Sequence, residues 1–345
     1  MSLRIKRHLL KFKKPAGASR GVMLDKPSWF LSFNGESGVA RGEVSVIPGL
    51  SVDNLELIES ALVQLHDLSI TELESEIPNL SDFPAIVFGL EMLLKDYNNG
   101  CKQQLFDNDF ARGEGIPING LVWMGEFDFM YEQIKQKIET AYKCIKIKIA
   151  AIDWNKEIEL LKYIRKHFSV EDIQIRVDAN GGFKNDEAFD KLSQLAQLDV
   201  HSIEQPIKQG QWDEMAKLCS ITPIPIALDE ELIGRTDIKI KEKMLSTIQP
   251  QYIILKPSLV GGFKASEEWI ELAASFGIDY WVTSALESNV GLNAIAQWTA
   301  GLNNKHYQGL GTGQLYTNNI PSPLFIKNGF IYSGNDPWEF SILDY

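Results

Sequence analysis

Cysteine is scarce in this chain, with three among 345 residues, at positions 101, 144 and 219, and none of them spaced as metal ligands. An odd, sparse set of this kind argues against a disulfide framework and for a reducing compartment. Cys144 falls within an apolar strand pattern with no histidine partner indicated, so it reads as structural rather than nucleophilic. Five histidines (8, 66, 167, 201 and 306) form no catalytic grouping. No apolar stretch approaches the roughly 18 residues that cross a bilayer. The most apolar window, 85–94, is interrupted by Gly89 and Glu91 and reads as a buried helix. Residues 1–8 carry charge but no apolar core follows, which excludes a secretory signal and makes the cytoplasm the expected location. Basic excess is missing too: 34 lysines and arginines stand against 46 aspartates and glutamates, a net charge of -12. That balance disfavours nucleic acid or an anionic membrane as partner. A small carboxylate substrate remains open, because local lysines or a metal ion reverse the field at a site. No Gly-x-Gly-x-x-Gly follows the first strand of the regular region, which counts against a dinucleotide-binding sheet.

Two textures divide the sequence. Residues 1–117 mix strand-like runs, one strong helix and turn signals such as Lys14-Pro15-Ala16-Gly17 and Asn34-Gly35. They read as an α+β capping domain, completed by a returning tail, 318–345. From 118 to 317 short β-rich runs alternate with amphipathic stretches, the pattern of βα units around a parallel sheet. The runs are 119–124, 144–149, 174–178, 201–204, 225–229, 252–256, 280–284 and 306–310, with helices such as 153–167, 185–197 and 262–276 between them. Eight strands predict an α/β chain with a (β/α)8 barrel.

Active sites of such barrels lie at the C-terminal strand ends. Those ends hold Lys146 and Lys148, Asp178 and Asn180, Glu204, Asp229 and Glu230, Lys256, and Ser284. From Lys148 to Ser284 the steps are 30, 26, 25, 27 and 28 residues, one βα unit each. Alternation sharpens the pattern. Ile145, Ile147 and Ile149 share the face that packs under helices, which turns Lys146 and Lys148 inward. Ile253 and Leu255 oppose Lys256 in the same way, and Ile226 and Leu228 oppose Asp229. Inward charges are unfavourable unless paired or bound to metal, so their clustering marks a site. Asp178, Glu204 and Asp229, with no histidine or cysteine among them, suit a hard cation: Mg²⁺, with Mn²⁺ as a substitute. Such an ion stabilises charge on a substrate carboxylate when the neighbouring carbon loses a proton. A nearby cation and burial favour the neutral amine that a base needs, and Lys148, beside Lys146, is the better candidate.

Lysine-x-lysine, three carboxylates and Lys256 in this order resemble the enolase superfamily, and within it the muconate lactonizing enzyme subgroup. The resemblance implies an enolase-type modified barrel under an N-terminal cap, with Lys148 and Lys256 on opposite faces of the substrate. It also implies Lys146, Asn180 and Glu230 as groups that orient or polarise the metal ligands. Ser284 stands where mandelate-racemase-like members carry a histidine. The segments 118–125, 284–293 and 309–313 narrow the resemblance to members that eliminate water from a hydroxycyclohexadiene carboxylate on the way to menaquinone. That implies substrate contacts from Ser284, Gly309 and Gly311, and a mobile loop at 17–21 whose Arg20 meets the succinyl carboxylate. The alternative within the subgroup is racemization of N-succinylamino acids or epimerization of dipeptides. The Asp-x-Asp element common in dipeptide epimerases is absent from Gly309-Leu310-Gly311-Thr312-Gly313.

Overall fold

The computed structural model describes residues 2–18 and 21–343. β1 (Arg4–Ala18), β2 (Gly21–Gly35) and β3 (Gly38–Ser45) form an antiparallel sheet in that order. Asn34 and Gly35 lead into the tight turn between β2 and β3, as the turn signal predicts. The signal at 14–17 makes no turn. It lies inside β1, beside a register shift between Lys11 and Ala16, so the proline is accommodated at an irregularity of the strand. α1 (Leu55–Gln64) and α2 (Ile70–Glu76) follow, then α3 (Pro84–Asn98), which buries the whole apolar window except the half-exposed Glu91. The crossing of α3 over β3 is set by two glycines: a Cβ on Gly42 would lie 2.1 Å from the Gly89 carbonyl oxygen.

After a short β4 (Ile116–Pro117) the chain alternates: β5 (Gly120–Val122), α4 (Phe127–Glu139), β6 (Cys144–Lys148), α5 (Trp154–His167), β7 (Gln174–Asp178), α6 (Asn185–Ala196), β8 (Ser202–Glu204), α7 (Trp212–Ile221), β9 (Ile226–Leu228), α8 (Ile238–Ile248), β10 (Tyr252–Leu255), α9 (Pro257–Val260), α10 (Gly262–Ser275), β11 (Asp279–Val282) and α11 (Asn289–Gly301). Strands β5 to β11 form one curled parallel sheet in chain order. Local signals start the helices; the Asp153 carboxylate, for example, accepts from the backbone N–H groups of Asn155 and Lys156 ahead of α5.

The eighth predicted strand, 306–310, differs from expectation. Gln308 and Gly309 make only single parallel bridges, to Ile118 and to Thr283. The Gln308 side chain takes over part of the ladder, its Oε1 accepting from the Val282 N–H at 2.8 Å. Gly309 sits so close to Thr283 that a Cβ would fall 2.6 Å from its Oγ1. Closure here is a seam held by individual contacts, where no regular strand forms. Beyond it, β12 (Leu324–Lys327) pairs with β13 (Phe330–Ser333), and β13 with β4. The same tail also meets the start of the chain, with Thr317 N–H donating to Lys11 O at 2.9 Å and Lys11 N–H donating to Asn318 Oδ1 at 2.8 Å.

Barrel side chains separate as the alternation requires. Ile145, Ile147, Ile175, Val177, Ile203, Leu228, Ile253 and Leu255 join helix residues such as Leu160, Leu192 and Leu245 in the main core. Inside the barrel the apolar cluster is small: Ala227, Ile254 and Trp281. Arg176 fills the floor beside it, its guanidinium 3.9 Å from the Trp281 ring centroid. The upper interior is left to charged groups.

Candidate active site

Strand register brings the charges together. Lys148 stands opposite Asp178 on β6 and β7, and Asp178 opposite Glu204 on β7 and β8. Asp229 follows β9 directly and Lys256 follows β10. Lys146, Asp178, Glu204, Asp229 and Glu230 are all buried. The Lys148 ammonium donates to Asp178 Oδ2 at 3.1 Å and to Asn180 Oδ1 at 2.6 Å. Lys146 lies 3.1 Å from Asp178 Oδ2 and also bonds Glu204. Lys256 bonds Asp229 and lies 3.9 Å from Glu204 Oε1. The two lysines on β6 thus approach the carboxylates from one side and Lys256 from the far end of the row.

Asn180 does more than expected from the sequence. Its backbone N–H donates to Asp178 Oδ1 at 3.0 Å, its amide oxygen accepts from Lys148, and its Nδ2 donates to Glu230 Oε1 at 3.1 Å. A left-handed backbone at Asn180 (φ 44°) makes this possible, a conformation asparagine tolerates well. Glu230 therefore reaches Lys148 through one amide.

Burial is the largest single influence on the ionisation of these groups. Desolvation pushes the Glu204 carboxyl up to about 8, Asp178 and Asp229 adding to it and Lys146 and Lys256 opposing it. Burial likewise raises Asp229 and Glu230. Asp178 goes the other way: burial works against ionisation, but Lys146, Lys148 and Lys256 outweigh it and hold the carboxyl well below its ordinary value. Burial opposes the charge of Lys256, yet Asp229, Glu204 and Glu230 raise it further. Lys146 is raised as well, its carboxylate partners outweighing desolvation.

Among the described residues no three acidic, histidine or cysteine side chains converge at ligating distances. The donor set nonetheless fits a hard divalent cation. All three candidate ligands are carboxylates at neighbouring strand ends, and Glu204 Oε1 and Glu230 Oε2 are buried oxygens without a hydrogen-bond partner.

A cavity of about 460 Å³ opens above the row, within the size range of small-ligand sites. Its floor is formed by Lys146, Lys148, Asp178, Asn180, Asp229, Glu230 and Lys256. One wall carries Ser284, Gly309 and Gly311, and the capping side brings Phe12, Met23, Ile47 and Leu50. Ser284 Oγ lies 2.7 Å from Thr312 Oγ1, so the wall's hydroxyls are held by each other. Thr312, Asn119 and Trp123 also line the cavity; they fall in segments that carry the resemblance but were given no role of their own. Asn119 and Trp123 lay inside a predicted strand, which gave no reason to single them out. Arg20 lies outside the described residues, and of the loop at 17–21 the flanks pair, Gly17 with Val22 and Ala18 with Gly21.

A parallel barrel with lysines and carboxylates at successive strand ends defines the class. The chain belongs to the enolase superfamily, and residues 130–337 match the family described as enolase C-terminal domain-like. More narrowly, it is 48% identical to the o-succinylbenzoate synthase of Desulfotalea psychrophila, over 96% of this chain and 98% of that protein. The crystal structure of MenC from the same organism superposes with a TM-score of 0.85 at 45% identity, covering 96% of this chain and 99% of the other. The substrate-liganded L-Ala-D/L-Glu epimerase of Bacillus subtilis shares the fold, with a TM-score of 0.81 at 20% identity over 97% of this chain and 96% of its own.

Proposed function

We propose that this chain catalyses the o-succinylbenzoate synthase reaction, the loss of water from 2-succinyl-6-hydroxy-2,4-cyclohexadiene-1-carboxylate within menaquinone biosynthesis. Its proton-transfer chemistry rests on a pair of lysines, Lys148 and Lys256, reaching one row of buried carboxylates from different strands, and the choice of the synthase reaction over racemization rests on sequence identity. Identity of 48% to a synthase along nearly the whole chain supports it.

In this reading Asp178, Glu204 and Asp229 would hold Mg²⁺, with Mn²⁺ as a substitute, and the bound ion would supply stabilisation of negative charge on the ring carboxylate, as enolase-superfamily sites generally do. The Lys148 amine takes the proton from the carbon bearing that carboxylate. The electron pair released forms the new ring double bond as the carbon–oxygen bond breaks. The ammonium just formed on Lys148 returns its proton to the departing hydroxyl, giving water from the same face, a syn elimination. Asn180 aims Lys148, with Glu230 fixing the amide. Lys256 stabilises the developing negative charge from the other face, and Lys146 helps keep Asp178 ionised while opposing the upward shift of Glu204. Ser284, Gly309 and Gly311 form the substrate wall. Phe12, Met23 and Leu50 cover the apolar ring and exclude water. Arg20 is the sequence's candidate for the succinyl carboxylate. Free cysteines and the absence of any helix long and apolar enough to cross a membrane, among the described residues, are consistent with a cytoplasmic enzyme.

Turnover followed by loss of diene absorbance tests the reading. Activity is expected with Mg²⁺, abolished by EDTA and restored by re-addition. Lys148→Ala is expected to fall by about 10³-fold, in the range of general acid–base contributions. A folded, metal-loaded protein that leaves the diene intact but racemizes N-succinylamino acids would transfer the assignment to racemization, for which two opposed lysines are equally suited.

A further inference from the structure

Behind Lys256 and Ser284, towards the capping sheet, lies a second group of buried charges that the proposed chemistry does not use. Lys26 on β2, Glu43 on β3 and Glu287 just ahead of α11 are all wholly buried. The Lys26 ammonium donates to Ser45 Oγ at 2.7 Å and to Ser28 Oγ at 3.0 Å, and Ser28 Oγ donates to Glu43 Oε1 at 2.9 Å. Glu43 then crosses to the barrel: it accepts from the Ser288 N–H at 2.9 Å, the Ser288 hydroxyl at 2.6 Å and the Gly291 N–H at 2.9 Å. Glu287 Oε1 accepts from the Ser258 hydroxyl at 2.5 Å, and its Oε2 from the Ala285 N–H at 2.6 Å.

Position gives these bonds their meaning. Ser258 lies two residues after Lys256, and Ala285 directly follows Ser284. One carboxylate therefore ties α9, which follows β10, to the turn after β11. A simpler residue would close the interface at less expense, since buried ionised groups rarely stabilise a fold over an apolar substitute. Burial drives the Lys26 ammonium down while Glu43 and Glu287 work against that loss, and burial raises the Glu287 carboxyl. The packing admits no slack: a Cβ on Gly291 would lie 2.7 Å from Glu287 Cβ and 3.0 Å from Glu43 Oε2.

We propose that Glu287 is a positioning residue for the reaction centre, gripping Ser258 and Ala285 so that Lys256 and Ser284 are fixed relative to each other. The kinetic part of the test rests on the synthase reading, whereas the structural part does not.

Three variants of the full chain separate the possibilities. Ser258→Ala removes one tethered group with little change of volume. It is expected to lower kcat about tenfold at nearly constant KM, with Tm unchanged, as small misplacements of reacting groups do. Glu287→Ala is expected to lose about a hundredfold in kcat. Glu287→Gln, whose amide oxygen still accepts from Ala285 and whose amino group meets Ser258 Oγ, is expected to recover most of that loss. Crystal structures of the same variants give a readout independent of the reaction: Lys256 leaves Asp229 in Glu287→Ala and stays in Glu287→Gln. Retention of kcat within about twofold in both Ser258→Ala and Glu287→Ala, or Lys256 unmoved in the crystal of Glu287→Ala, overturns the proposal. Loss in Glu287→Gln equal to that in Glu287→Ala overturns it too, leaving Glu287 a structural charge. If the wild type fails to turn over the diene, the synthase reading falls, and the crystal structures decide the positioning role by themselves.

Discussion

Individual side chains of the candidate centre were the most legible part of the chain. Period-two alternation in 144–149 was enough to point Lys146 and Lys148 inward, because isoleucines on the opposite face have only the helix layer to pack against. Lys26, Glu43 and Glu287 were not legible at all. Their contacts join positions 245 residues apart in sequence, such as Glu43 with Ser288, and a lone buried charge leaves no local period. Asp53 belongs to the same hidden class. Its Oδ1 accepts from the Ala85 N–H at the start of α3 at 3.0 Å, its Oδ2 is buried without a partner, and burial pushes its carboxyl up to about 7. Between about pH 4 and pH 7 the unfolded chain has released this proton while the folded chain retains it, so stability falls as pH rises through that window. The loss is on the order of 4 kcal/mol. Asp53→Asn removes it, so the urea midpoint of the variant should vary less between pH 4.5 and pH 7.5 than that of the wild type. An identical pH dependence in both proteins would show that Asp53 ionises freely in the fold.

Elements were readable wherever one face repeats. The runs assigned to β5 through β10 each contain the observed strand, β11 begins one residue ahead of its run, and the three helices named from sequence match α5, α6 and α10 to within two residues. The exception is 306–310, where glycines and a glutamine side chain replace a ladder with single bridges. Sequence pattern marks where a strand is permitted; it does not record that Gly309 must press against Thr283. The contact of α3 with β3 is another feature set by close approach. Gly42→Ala should destabilise the protein by more than 2 kcal/mol, an overpacking penalty at the upper end for one methyl group, because the obstructing atom is a backbone oxygen. Urea unfolding measures it, and a change below about 0.5 kcal/mol, the usual range for innocuous substitutions, would mean that α3 slides easily over the sheet.

Across the whole molecule, capping strands and barrel are joined by bonds between distant stretches of chain. Glu43 engages the start of α11, Glu91 accepts from the Phe263 N–H at the start of α10, and the Gln103 carbonyl accepts from Asn293 and Gln297. Near the ends, Lys13 N–H donates to Leu315 O at 2.8 Å and Asn318 Nδ2 to Leu9 O at 2.8 Å. A chain so cross-connected is expected to unfold in one cooperative step. Amide protection in peptides from β2 and β3 should be lost at the same urea concentration as in peptides from β6 and β7, measured by hydrogen exchange and mass spectrometry. Separate midpoints would show that the two regions fold independently despite these bonds.

The seam of the barrel has a consequence for how such a protein changes over generations. The charged row sits on β6 to β10, in the continuous part of the sheet, while Ser284, Gly309, Gly311 and Thr312 sit beside the closure made of single contacts. Substitutions along that closing stretch alter this wall of the cavity and disturb no ladder that holds a lysine or a carboxylate. On the proposed function, reactivity and selectivity are thereby inherited on separate arcs of one ring, so a lineage is free to exchange its substrate while its proposed proton-moving centre stays as it was.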